Sequence, residues 1–153
     1  MKFFCDDNLG KLAKLLRAAG YDTLFYRTIR DGELISRALK DKRFIITRDR
    51  GLIGRGAPED AVLLIEGDNP DEQFEYVILQ MNLHPEYERW LTRCIECNNV
   101  LCVVNRKDYV EQIPPYVYKT HDEFYRCPGC ERLYWKGTHH KRLTERLGER
   151  FRK

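Results

Sequence analysis

The chain has 153 residues, a net charge of +3 and a 42% apolar share, which excludes a disordered or fibrous protein and suits one α/β domain with a small appended module. No apolar run approaches the roughly 18 residues of a membrane span, and the N-terminus turns acidic at Asp6-Asp7, where a signal peptide would still be apolar. The expectation is a cytoplasmic protein with no membrane partner.

Lys2-Phe3-Phe4-Cys5 opens the chain as a short buried strand. Leu9, Leu12, Ala13, Leu16 and Ala19 make an apolar stripe at helical spacing, and Gly20 stands where a helix would end. Residues 22–26 predict a second strand, and Leu34, Ile35, Ala38 and Leu39 a second amphipathic helix. Residues 43–47 and 61–65 predict a third and a fourth strand, the third with three successive apolar residues as in a parallel sheet. Phe74, Val77, Ile78 and Met81 then step through another helix, after Asn69-Pro70, a turn or helix start. The order strand, helix, strand, helix, strand, strand, helix is an α/β pattern with a mainly parallel sheet. It ends near residue 88, and residues 89–153 read as a separate module.

That module carries Cys94-x2-Cys97 and, 29 residues on, Cys127-x2-Cys130. Each pair can close a tight knuckle and present two sulfurs to one ion, so the four predict a structural zinc site with no open position. Gly129 is expected to supply the knuckle's unusual backbone angles. Strands are expected at 101–104 and 133–135, the outline of a zinc ribbon. Its small size leaves the metal to supply much of its stability. Cys5 and Cys102 remain, both read as buried inert thiols.

The charge is uneven. Residues 1–85 hold 13 Lys/Arg against 14 Asp/Glu, residues 86–153 hold 14 against 10, and residues 132–153 hold 8 against 2. A basic tail either meets a polyanion or forms a solvated helix. His139 and His140 open that last helix and read as phosphate contacts or exposed side chains, not as shared metal ligands.

Three aspartates stand where a parallel sheet concentrates chemistry: Asp6 after the first strand, Asp49 after the third, and Asp31 at the start of the second helix. Carboxylates gathered there repel unless a cation joins them, and Mg²⁺ or Mn²⁺ would also bridge to phosphate. Each acid has a plain reading as well: Asp6, Asp7 or Asn8 capping the first helix, Asp31 capping the second, Asp49 in a turn. Lys11, Lys14 and Arg17 make a basic stripe on the first helix, read first as a solvated face, and Arg48 and Arg50 bracket Asp49. Lys11, Arg48 and Arg50 are candidates for holding a phosphate backbone. Asp68, after the fourth strand, is a weaker fourth acid.

Cys5-Asp6-Asp7-Asn8-Leu9-Gly10-Lys11-Leu12, Gly20-Tyr21-Asp22-Thr23-Leu24 and Ile45-Ile46-Thr47-Arg48-Asp49-Arg50 resemble the Mut-seven C-terminal RNase family. That family is a branch of the PIN-like nucleases with an appended zinc ribbon. Pro114-Pro115-Tyr116-Val117-Tyr118, His121-Asp122-Glu123-Phe124 and Cys127-Pro128-Gly129-Cys130 with Tyr134-Trp135-Lys136-Gly137 are similar to its ribbon. The resemblance implies a PIN-like three-layer α/β sandwich, Mg- or Mn-dependent RNA hydrolysis, and catalytic roles for Asp6, Asp31 and Asp49. Asp7, Glu33 and Asp68 compete for a fourth acidic place. The implied substrate is RNA, single-stranded or structured and non-coding. Bases would stack on the ribbon's aromatics among Lys119, Arg126, Arg132 and Lys136, unless those rings form the ribbon's core. The rival readings are a non-catalytic RNA- or ribosome-binding zinc-ribbon protein and a module that docks a protein.

Overall fold

The computed structural model describes residues 1–148. Of the basic tail, Arg150, Arg152 and Lys153 lie outside the described residues, as does the side chain of His139. Four strands, β1 (Lys2–Cys5), β2 (Asp22–Phe25), β3 (Phe44–Thr47) and β4 (Val62–Leu64), form a wholly parallel sheet in the order β2-β1-β3-β4. Helices α1 (Gly10–Ala18) and α4 (Pro70–Gln80) cover one face, α2 (Asp31–Lys40) and the single turn α3 (Gly51–Gly54) the other. The alternation of strand side chains decides this split. Phe3, Cys5 and Ile46 pack with Leu12, Leu16, Phe74 and Val77, whereas Phe4 and Ile45 pack with Leu34, Ala38 and Leu52. Each fully buried Phe, Leu or Ile in these layers contributes about 1.5–3 kcal/mol relative to exposure.

Two boundaries follow from local chemistry. Gly20 ends α1 at φ +88°, and a Cβ there would lie 2.4 Å from the Arg89 carbonyl oxygen. Only glycine meets both demands. Asn69 caps α4, its side-chain oxygen accepting from the Asp71 and Glu72 N–H groups, with Pro70 in the first turn. The short helix α3 has no counterpart among the predicted elements. Parallel strands cannot be joined by a hairpin, so the stretch between β3 and β4 must cross over.

The second module is a three-stranded antiparallel sheet, β5 (Cys102–Val104), β6 (Phe124–Arg126) and β7 (Leu133–Tyr134), in that order. It also holds two helices, α5 (Pro115–Thr120) and α6 (Thr138–Gly148). It is sewn to the first. Trp90, just past the expected boundary, is buried in the α1/α4 core, Leu143 of α6 packs against the same core, and Arg146 pairs with Asp71 of α4 at 3.0 Å.

Some expectations change. Arg17 is not part of a solvated stripe but is 4% exposed; it donates to the carbonyls of Thr23, Ile95 and Glu96. His140 is buried against the Tyr87 ring instead of exposed. Cys102 is exposed because its strand lies at the ribbon's edge, while Cys5 is fully buried and burial pushes its thiol up to about 12. No helix among the described residues is long and apolar enough to cross a membrane.

Candidate functional site

The carboxyl ends of β1 and β3 lie side by side where the chain connections diverge, towards β2 on one side and β4 on the other. Ligands of open parallel sheets bind in the crevice at such a point. Asp6 prolongs β1, its N–H donating to the Ile46 carbonyl at 2.9 Å. It therefore stands opposite Thr47 on the α2 side of the sheet. The Thr47 hydroxyl donates to Asp6 Oδ2 at 2.6 Å and accepts from the Asp49 N–H at 3.0 Å. One fully buried hydroxyl thus ties together the two acids that end neighbouring strands. Asp6 Oδ1 accepts from the Asp7 N–H at 2.8 Å. None of Asp6, Asp7 and Asn8 caps α1, whose N-terminus has no side-chain cap.

Asp31 begins α2 without capping it; Arg30 holds the cap position. Its Oδ2 accepts from Arg55 Nε at 2.7 Å, and Arg55 Nη2 reaches Asp49 Oδ2. Asp49 Oδ1 accepts from the Gly51 N–H at 2.8 Å, so the turn reading of Asp49 also holds. A Cβ on Gly51 would lie 2.7 Å from Arg55 Nη1 and 3.0 Å from Asp49 Oδ1. Glycine there leaves room for the fork. Desolvation opposes the charge on Arg55, but Asp49 and then Asp31 together outweigh it and raise the guanidinium's pKa.

Asp31 and Asp49 are thus close enough to share one cation centre, and that centre is the chain's own arginine. Asp6 stands apart, spent on Thr47 and the Asp7 amide. Among the described residues, the four cysteines are the group of three or more potential ligands whose donor atoms converge. The further acids do not join: Asp68 pairs with Arg48 at 2.7 Å and Glu33 with Arg37 at 2.6 Å. Asp7 faces a different opening.

That opening is a cleft of about 560 Å³ on the α1/α4 side of the strand ends. Asp7, Lys11, Lys14, Arg27, Arg48 and Asp68 line it, above the buried Arg17. Lys14 pairs with Glu96 at 2.8 Å; Lys11 and Arg27 have no ionic partner among the described residues. Arg50 points elsewhere, towards β4, and pairs weakly with exposed Glu66 at 3.3 Å.

The cysteine centre is built from two matching knuckles. In the first, Cys94 N–H donates to the Asn99 carbonyl at 2.8 Å and Asn98 N–H to the Cys94 carbonyl at 2.9 Å. In the second, Cys127 donates to Arg132 at 2.9 Å and Glu131 to Cys127 at 3.0 Å. The left-handed residues are Asn98 (φ 70°) and Glu131 (φ 66°), not Gly129 as expected. Gly129 is needed for a different reason: a Cβ there would lie 2.3 Å from the Asn99 side-chain nitrogen. That nitrogen donates to Cys97 Sγ at 3.2 Å. Burial opposes ionisation of Cys97, but the Asn99 amides outweigh it and bring its thiol down to about 6. The Tyr134 hydroxyl lies 3.0 Å from Cys94 Sγ.

The four sulfurs lie within 4.8 Å of one another, with Cys94···Cys130 at 3.5 Å and Cys97···Cys127 at 3.2 Å. These separations are too long for disulfides, whose S–S bond is about 2.05 Å. They are close to the roughly 3.8 Å edge of a tetrahedron with Zn–S bonds of about 2.3 Å. The four cysteines can hold a zinc ion.

Residues 1–147 match the family of the Mut7-C RNAse domain. The chain belongs to that family. No curated protein and no solved structure matches it. Membership places this Mut7-C domain among RNase domains and implies RNA as its substrate.

In this Mut7-C domain, Asp6 and Asp49 meet through Thr47, and Asp49 and Asp31 meet through Arg55. Sequence reasoning missed both go-betweens, and it missed Arg27. Thr47 had a signal: it immediately precedes Arg48-Asp49 in a stretch that carries the family likeness. Arg55 had none, because it reaches the acids only through a one-turn helix that periodicity did not reveal.

Proposed function

We propose that this Mut7-C domain is a divalent-metal-dependent ribonuclease whose acids are Asp6, Asp31 and Asp49. The observation that carries this reading is the joining of Asp6 and Asp49 by Thr47 at the sheet's switch point, in a chain belonging to an RNase-domain family. The donor chemistry fits a hard cation: carboxylate oxygens only, two of them already sharing a positive centre in Arg55. A bound Mg²⁺ or Mn²⁺ would supply activation of water and neutralisation of charge at the scissile phosphate. The protein's residues supply placement. Thr47 holds Asp6 and the Asp49 backbone in register. Lys11 and Arg48, in the cleft on the α1/α4 side of the strand ends, would hold the RNA backbone by charge as it leaves the acids, and Arg50, towards β4, would contribute less. The zinc ribbon would hold the cleft's outer wall, since Arg17 and Lys14 both bind its first knuckle.

Asp6→Asn and Asp49→Asn should each reduce Mn²⁺-dependent cleavage of single-stranded RNA by more than about 100-fold, since even outer-sphere partners of a metal are worth 10–100-fold. Cleavage at the unmodified rate by both variants would end this assignment. The specific observation favouring the rival reading, an RNA-binding protein without catalysis, is Arg55 itself. If Mn²⁺ cannot displace it, the protein will retain RNA and leave it intact.

A further inference from the structure

On the far side of α1 from the basic cleft lies a groove of about 540 Å³, walled mainly by apolar and aromatic side chains. The volume is that of a small-ligand site. Tyr116, Val117, Tyr134, Trp135 and His140 of the ribbon module face Leu15 and Ala18 of α1 across it. Two openings of opposite character thus share one ridge. Lys14 lines both; Arg17 and Glu96 line the cleft, and their chain neighbours Ala18 and Ile95 line the groove. The Lys14–Glu96 ion pair sits on that ridge.

The groove is not uniformly apolar. At Gly137, a Cβ would lie 3.0 Å from Trp135 Nε1 and 3.8 Å from His121 Nε2. Both polar atoms thus border the space that the missing side chain leaves open. Neither has a hydrogen-bond partner among the described residues, since His121 engages Thr120 through Nδ1 at 2.9 Å. In the groove wall, buried His140 has its Nε2 unpaired as well. An aliphatic peptide side chain seated against Gly137 would offer the Trp135 and His121 nitrogens nothing, whereas a nucleobase offers a flat apolar face to the rings and polar edges to these nitrogens.

We propose that one RNA strand passes from the acid site through the basic cleft, crosses the α1 ridge at Lys14, and seats a base in the ribbon groove. This rests on the RNA reading above but not on cleavage. Phosphates meet Lys11, Arg27 and Arg48, while the base stacks on Tyr116 and Trp135. At the ridge a phosphate takes Lys14 from Glu96, whose own charge resists the crossing. The ribbon is then a base-holding arm as well as a zinc-bearing scaffold.

The test measures binding of full-length protein to a labelled eight-residue oligoadenylate and to an abasic strand of equal length, without added divalent cation. Oligoadenylate should bind about tenfold tighter than the abasic strand and quench Trp135 fluorescence, as base–aromatic stacking requires. Tyr116→Ala, at a side chain three-quarters exposed and so harmless to folding, should remove most of that difference. Trp135→Leu, checked for intact zinc content, should remove the quench. Lys11→Ala and Arg27→Ala should weaken both strands alike, each lowering the salt slope by about 0.7. Glu96→Gln should tighten both about threefold, as for release of an exposed ion pair. Equal affinity for the two strands, or unchanged oligoadenylate affinity in both groove variants, would overturn the proposal, and would be the result if the groove serves a peptide. Base-dependent binding without Mn²⁺-dependent cleavage would uphold it while refuting the catalytic reading; cleavage without base dependence would do the reverse.

Discussion

The two sets of potential metal ligands, the cysteines and the aspartates, are held in opposite ways. The four sulfurs lie within 4.8 Å of one another. The three acids are divided between Thr47, the Gly51 and Asp7 amides, and Arg55. The difference lies in what else each ligand can bind. A thiol is a weak hydrogen-bonding group with few rivals for its attention, and its knuckle holds it in place through backbone bonds. A carboxylate is a strong acceptor that any nearby N–H, O–H or guanidinium can occupy. Backbone bonds therefore gather the four sulfurs, while the acids are divided among several donors.

The sharpest way to break this contrast is to remove the metal from the cysteines. Structural zinc in small modules is worth about 10–16 kcal/mol of apparent binding energy. The purified protein should carry one zinc per chain, and Cys127→Ser should unfold the ribbon and cost more thermal stability than substitution of any of the aspartates or of Arg55. A full-strength melting transition in the zinc-free protein would show that the sulfurs need no ion.

A smaller effect is expected where the ribbon meets the sheet. Asp22 accepts from Arg43 at 2.6 Å and from the Asn98 amide at 2.8 Å, and Asn98 accepts from the Thr23 N–H at 3.0 Å. Burial alone would raise the Asp22 carboxyl's pKa, but hydrogen bonds from Arg43 and Asn98 outweigh it and hold it below the usual 3.8. Its contribution is thus complete above its unfolded pKa, near 4, and is lost as the pH falls through the lower folded value. Asp22→Asn leaves buried Arg43 only the more distant Asp41 carboxylate, at 3.5 Å, and should cost up to about 3 kcal/mol, read by denaturant unfolding at pH 7. The gap between variant and parent should shrink below pH 4.

The smallest effect tests the acid cluster directly. Arg55→Ala frees Asp31 and Asp49 from two exposed ion pairs, which solvent keeps weak. Mn²⁺ affinity by calorimetry should rise about three- to tenfold. Unchanged or weaker binding would show that arginine and metal do not contend for the same oxygens.

Much of this molecule was legible beforehand because its signals are local. CxxC spacing, the Leu12–Leu16 stripe and the apolar runs at Phe3 and Ile45 each lie within a few residues, and each set its element to within a residue or two. What stayed hidden depends on distant partners. Arg17 looked like its neighbours Lys11 and Lys14, and only the arrival of the knuckle carbonyls at 95 and 96 buries it. Strand β6 is three residues long, too short for a periodic pattern, and exists because β5 and β7 flank it. Asp6, Asp31 and Asp49 were singled out by their place at element ends; that an arginine would sit between two of them depends on the path of α3.

The bond from Thr23 to Asn98 has a consequence beyond docking. β2 is an outer strand of the parallel sheet, and such a strand offers its free amides to any passing chain. The first knuckle blocks part of that row. Loss of zinc would therefore expose a sticky margin, and a metal-starved preparation should fail first by self-association between molecules.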